Sequence, residues 1–181
     1  MKIKNHFAAT YALALFGIST SSAYGSDGTI SFTGSLTDAT CVVKVNNTSA
    51  NGSVGLPAIS KLSLPSSGVV AGATIFTLNL SGCTTGKTVN AYFEAGPTVD
   101  TVTGNLINGG TAGNVQVQLL TGAGVPIVVG SSGQATTTGI TTTSSPSVTG
   151  GTLNYVAQYY ATGATTSGSV TTSVTYSLTY L

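Results

Sequence analysis

The chain carries few groups that can do chemistry. It has four acids and one histidine among 181 residues. The acids are Asp27, Asp38, Glu94 and Asp100, and the histidine is His6. A Ser–His or Cys–His nucleophile needs an imidazole close to the reacting side chain, and His6 lies in a segment that reads as a removable leader. Two carboxylates can cleave a glycosidic bond without help. Asp27 and Asp38, however, bracket one strand-like stretch, Glu94 and Asp100 follow another, and nothing in the spacing makes any two converge. They read as solvated turn and rim charges.

Cys41 and Cys83 offer a different chemistry. In an exported chain two cysteines are expected to pair as a disulfide, and closing so long a loop stabilises by ~4 kcal/mol in the chain-entropy account. Two cysteines without histidine make a poor metal set, so no metal and no cofactor is expected. Tyr155, Tyr159 and Tyr160 fit either a sugar-stacking surface or core packing on a strand. The Gly109–Gly110 and Gly150–Gly151 pairs lack the strand–loop–helix context of a phosphate loop and read as turns. The sequons at Asn46 and Asn79 arise easily in a chain this rich in Ser and Thr.

The leader explains the compartment. "MKIKNHFAATYALALFGISTSSAYG" places Lys2 and Lys4 before an apolar run from Phe7 to Ile18, then small residues, which is the layout of a secretory signal with cleavage after Ala23 or Gly25. The run is too short to span a bilayer. Cleavage removes His6 and two of the five cationic residues, leaving Lys44, Lys61 and Lys87 against the four acids. Such a chain lacks the clustered cations that nucleic acid requires, and no membrane-spanning segment is expected in the mature chain. Its size suits one domain with a proper core.

The remaining sequence reads almost entirely as strands and turns. β-branched and aromatic runs recur between Gly, Ser and Asn clusters, with strands expected near 28–37, 41–46, 73–81, 88–95, 115–121, 125–129, 152–161 and 169–180. In "ATIFTLNLSGC" the residues Phe76, Leu78 and Leu80 alternate with Ile75, Thr77 and Asn79. In "VQVQLL", Val115, Val117 and Leu119 point inward and Gln116 and Gln118 outward. Residues 60–72 and 130–152 read as loops. An antiparallel β-sandwich follows. "DGTISFTGSLTDATC" alternates Ile30, Phe32 and Leu36 with polar residues and leaves Gly34 at the remaining beat, where a bulge or a close backbone approach would also account for it. "SVTTSVTYSLTYL" places Val170, Val174, Tyr176, Leu178 and Tyr180 on one face.

Taken in order, "DGTISFTGSLTDATC", "LPAISKLSLPSSG…ATIFTLNLSGC", "GNVQVQLLTGAG", "AQYYATGATTSG" and the penultimate Tyr180 resemble the pilus subunits of the chaperone–usher pathway of Gram-negative bacteria, of the type 1 major-subunit kind. Gly168, fourteenth from the C-terminus, matches the family's terminal motif. The resemblance implies an incomplete immunoglobulin-like sandwich over 38–181, lacking its final strand and completed by a donor strand from a neighbouring subunit. The donor is implied to be 26–37, with Ile30, Phe32 and Leu36 entering pockets and Gly34 matching the glycine where strand exchange begins. The implied partners are identical or homologous subunits, a periplasmic chaperone and an outer-membrane usher. Val174, Tyr176, Leu178 and Tyr180 would pair with the chaperone, whose basic cleft would anchor the Leu181 carboxylate. "SVTTS" departs from the Ala or charged residues that family members place there. The expected role is a structural subunit of an extracellular fimbria supporting adhesion, not an enzyme. A minor or adaptor subunit, or a self-contained secreted carbohydrate-binding module, are the alternatives.

Overall fold

The computed structural model describes residues 30–34, 36, 41–134, 136, 140–141 and 150–181. The signal segment, its cleavage site, Asp27 and Asp38 lie outside the described residues. The chain divides into two units, Met1–Leu36 and Thr37–Leu181. In the first, the described residues carry no strand assignment, unlike the strand expected at 28–37, and Ile30, Phe32 and Leu36 are 80, 90 and 104% exposed.

The described residues of the second unit are all-β apart from one 3-10 turn. Its strands are β1 (Val42–Val45), β2 (Val70–Ser81), β3 (Thr88–Phe93), β4 (Leu106–Ile107), β5 (Val115–Thr121), β6 (Ile140–Thr141), β7 (Gly151–Ala161) and β8 (Tyr176–Tyr180). Five form one antiparallel sheet in the order β1-β2-β7-β5-β4, and three form a second in the order β6-β3-β8. Alternation in β2 works as read: Phe76, Leu78 and Leu80 are buried and Ile75 is exposed. Register puts Phe76 opposite Tyr155 and Leu78 opposite Leu153, so these side chains share the inner face. Phe93, from the other sheet, meets Tyr155 edge-on at 5.1 Å between ring centroids, while Tyr155 stacks on Phe76 at 5.5 Å. This aromatic trio joins the two sheets, and Tyr155 belongs to the core.

Several segments differ from the sequence expectations. Residues 125–129 form no strand; they fold back along β5 through hydrogen bonds from Thr121 N–H to Val125 O and from Ile127 N–H to Leu119 O. Of 169–180, only Tyr176–Tyr180 joins a ladder, because Ser169 and Thr171 carbonyls accept from Ala112 and Gly109 N–H in a neighbouring loop. The expected loop 60–72 holds the 3-10 turn Lys61–Ser63, N-capped by Ser60 Oγ, and the start of β2. The expected loop 130–152 contains β6 and the start of β7.

Gln116, expected outward, is buried. Its amide donates to Asp100 Oδ2 at 2.5 Å and its carbonyl accepts from Asn105 Nδ2 and Thr103 Oγ1. A buried amide is tolerated only when so satisfied. Asp100 also accepts from the Val102 and Thr103 N–H groups, which tie the turn preceding β4 to β5.

An open groove beside the last strand

Sheet order leaves β8 at an edge, paired on one side with β3. In that register Tyr176 lies opposite Phe93, Leu178 opposite Ala91 and Tyr180 opposite Val89. The even-numbered side chains therefore face the same interior as the core of β3, yet they stay half-buried. Across from this edge, the chain after β1 runs through residues 50–56 without joining a ladder. Between these walls lies a groove of about 970 Å³. Phe76, Leu78, Phe93 and Leu119 line its depth, Val54 and Leu56 one wall, and Val174, Tyr176 and Leu178 the other. Among the described residues no charged side chain lines it. Chemically it offers an apolar trough bordered by strand edges, a surface that natural sheets normally cover.

One hydrogen bond links the two walls, and a second ties β8 to the chain before β1. The Tyr176 hydroxyl donates to Ala50 O at 2.9 Å, and Cys41 N–H donates to the Tyr180 hydroxyl oxygen at 3.0 Å. Burial pushes the Tyr176 phenol above its ordinary value. Beside Tyr180, Cys41 and Cys83 form a disulfide that fastens the start of β1 beyond the end of β2. Leu181 exchanges backbone hydrogen bonds with Thr88 in both directions, and its side chain is exposed.

The structure thus brings Val174, Tyr176 and Leu178 together at the groove, while Tyr180, on the same face of β8, packs against the core beyond it. Gly168 lies apart, against Thr111 and Ala112. Around Gly34 nothing approaches within 4 Å of a built Cβ. Sequence reasoning missed the 50–56 wall, although Val54 and Leu56 alternate there with Ser53 and Gly55. Tyr159, expected on a sugar-stacking surface or in the core, instead lines the groove and donates its hydroxyl to Pro57 O. Making room for that ring, Gly72 adopts φ +69 at a bulge in β2; a Cβ there would stand 2.8 Å from the Tyr159 ring. Among the described residues no three His, Cys, Asp or Glu side chains cluster as a metal site. Glu94 accepts from Ser177 Oγ while Asp100 binds Gln116, so these acids serve separate structural contacts.

The family model described as "FimA: Type-1 fimbrial protein, A" matches residues 56–181. The F17 fimbrial protein of Escherichia coli is 43% identical over 92% of this chain and 94% of its own length. The major fimbrial subunit SMF-1 of Stenotrophomonas maltophilia (strain K279a) is likewise 43% identical, over 87% of this chain and 95% of its own. The crystal structure of the P pilus rod subunit PapA superposes with a TM-score of 0.57 at 22% identity, covering 77% of this chain and 99% of that one.

Proposed function

The chain belongs to the type-1 fimbrial protein family, and from that premise we propose that it polymerises by donor-strand exchange, its own N-terminal strand filling the groove of the next copy. As a fimbrial subunit it is structural and extracellular, not an enzyme. Its fold is the immunoglobulin-like sandwich of chaperone–usher pilins, short of one strand.

The observation that carries the exchange reading is the groove itself, with its apolar floor beside the open edge of β8. A strand laid along that edge would gain backbone hydrogen bonds from β8 and bury alternate side chains on the floor. Ile30, Phe32 and Leu36 are large, apolar, exposed and spaced for one strand face. Each would contribute about 1.5–3 kcal/mol on full burial. Gly34 would sit where that face needs no side chain. Before assembly a periplasmic chaperone would cover the same trough, pairing with Val174–Tyr180 and holding the Leu181 carboxylate, and an outer-membrane usher would exchange it for the next subunit. The match to a major subunit over nearly its whole length favours the major-subunit role. Support of cell adhesion follows from membership of such a fibre.

The test compares the exported chain with its Gly34→Leu variant, both refolded with the disulfide intact. Multimers that resist dissociation are expected from the parent, with the variant assembling far more slowly. A synthetic peptide of residues 26–37 should raise the parent's denaturant midpoint with slow reversal, since release would require partial unfolding. A chain that stays monomeric and ignores the peptide has a complete sandwich, and the exchange reading then fails.

A further inference from the structure

Two Asn–Gly pairs occur in the sequence, Asn51–Gly52 and Asn108–Gly109. This dipeptide is chemically labile, because glycine has no side chain to hinder attack by its own backbone nitrogen on the preceding side-chain amide. The fold treats the two pairs oppositely. Asn108 Nδ2 donates to Ala112 O at 2.9 Å and Ser169 O at 3.2 Å, while its Oδ1 accepts from Gly110 N–H and Thr171 N–H. Gly109 N–H is itself held, donating to Thr171 O at 2.8 Å. Both nucleophile and electrophile are tied down.

Asn51 is exposed in a bend on the groove wall. Its side-chain amide and the Gly52 N–H have no hydrogen-bond partner among the described residues. Gly52 cannot be exchanged for a bulkier residue at this place. A Cβ there would stand 2.3 Å from Val45 Cβ, inside a contact belonging to the buried end of β1. Packing therefore imposes the glycine, and the glycine leaves Asn51 open to attack.

We infer that Asn51 is a self-modification site, converting spontaneously to aspartate and isoaspartate on the groove wall while Asn108 is preserved. The Gly52 nitrogen bonds to Asn51 Cγ and gives up its proton, the Cγ–Nδ2 bond breaks, and the amide nitrogen leaves with that proton as ammonia. One water then opens the resulting succinimide. Opening at Cγ gives aspartate, and opening at the main-chain carbonyl gives isoaspartate, with the chain rerouted through Cβ and Cγ. Nothing is oxidised or reduced. The product places a carboxylate beside Ala50 in a trough whose described lining residues carry no charge.

The experiment ages the folded, disulfide-intact exported chain in heavy-oxygen water at mildly alkaline pH and maps the label by peptide mass spectrometry. Because Asn108 must first open locally, label should appear at Asn51 at least about tenfold faster. In the reduced, denatured chain the two sites should react at similar rates, showing that the fold makes the difference. Asn51→Gln should remove the fast site and leave Asn108 unchanged. Equal rates at the two sites of the folded chain, or faster label at Asn108, would overturn the assignment. So would a folded chain that acquires label at neither site over the time in which the denatured chain reacts at both.

Discussion

The hydroxyl of Tyr176 reaches across the groove to the carbonyl of Ala50 at 2.9 Å. The donor is on the last strand and the acceptor is in the loop after the first, so one hydrogen bond joins the two walls of the trough. Its companion, from Cys41 N–H to the Tyr180 hydroxyl, ties β8 to the chain before β1 at the disulfide end. Both tyrosines lie on the apolar face of β8. Their rings serve the core of β3, and their hydroxyls hold the wall opposite and the chain before β1 respectively. A tyrosine suits this place because its body is apolar and its tip needs a partner.

Replacing Tyr176 by Phe keeps the ring and deletes only the link. The loss expected is about 0.5–1.5 kcal/mol, the net worth of one hydrogen bond, seen as a lower denaturant midpoint with an unchanged slope. High pH should act on the same bond. Burial raises the Tyr176 phenol above 10.0 in the folded chain, so its stabilising effect is complete below that pH and fades as pH climbs through the folded value. The parent and Tyr176→Phe curves should converge in strongly alkaline buffer. Parallel curves throughout would show that the phenol is not what titrates.

Acid should act at the far edge of the larger sheet. Asp100 has its pKa lowered from 3.8, first by the Val102 N–H, then by the Gln116 amide and the Thr103 N–H, with partial desolvation opposing them. A depressed folded pKa means stability present above the unfolded value and lost as pH falls through the folded one. Asp100→Asn should therefore flatten the acid limb of the stability profile below about pH 4. Gln116→Leu should flatten it too, because it removes one of the groups holding the carboxylate. An acid limb identical in all three chains would assign the titration elsewhere.

What the sequence revealed depended on how each strand is covered. β2 is solvated on one face, so Phe76, Leu78 and Leu80 against Ile75, Thr77 and Asn79 gave its direction at once. Strand β5 lies between neighbours, and Gln116 is buried there by a hydrogen-bond network with Asp100 and Asn105 that no periodicity encodes. The segment 169–175 alternates as well as β8 does, yet its backbone is taken by Asn108 and the 109–112 loop instead of a ladder. Cysteine count and export context anticipated a bond between Cys41 and Cys83. The C-terminal wall of the groove was legible as an apolar strand face through Val174, Tyr176 and Leu178, while the groove itself was implied only by the family resemblance. Its other wall was not legible, since Ala50 and Tyr176 meet only after the whole sandwich has closed.

Gly168 offers a test of how that C-terminal wall is held in place. Its Cα lies so close to the neighbouring loop that a Cβ would stand 2.3 Å from Ala112 N and 2.6 Å from the Thr111 carbonyl carbon. Gly110 meets the same seam from the other side, with a Cβ falling 2.2 Å from Ser169 O. The seam is backbone against backbone, held by Ala112 N–H donating to Ser169 O and Ser169 N–H to Thr111 Oγ1. Neither partner can swing aside as a side-chain tip would. Gly168→Ala should therefore push residues 168–171 off the loop and cost about 1–3 kcal/mol, the usual range for overpacking. Since residues 170–176 and Leu178 line the groove, the displacement should travel into its wall, and binding of the 26–37 peptide should weaken along with stability. Ala at the exposed Gly133, around which nothing approaches within 4 Å, is the control and should leave both unchanged. A Gly168→Ala chain as stable as the parent would mean that the seam yields freely and that the glycine is not required for packing.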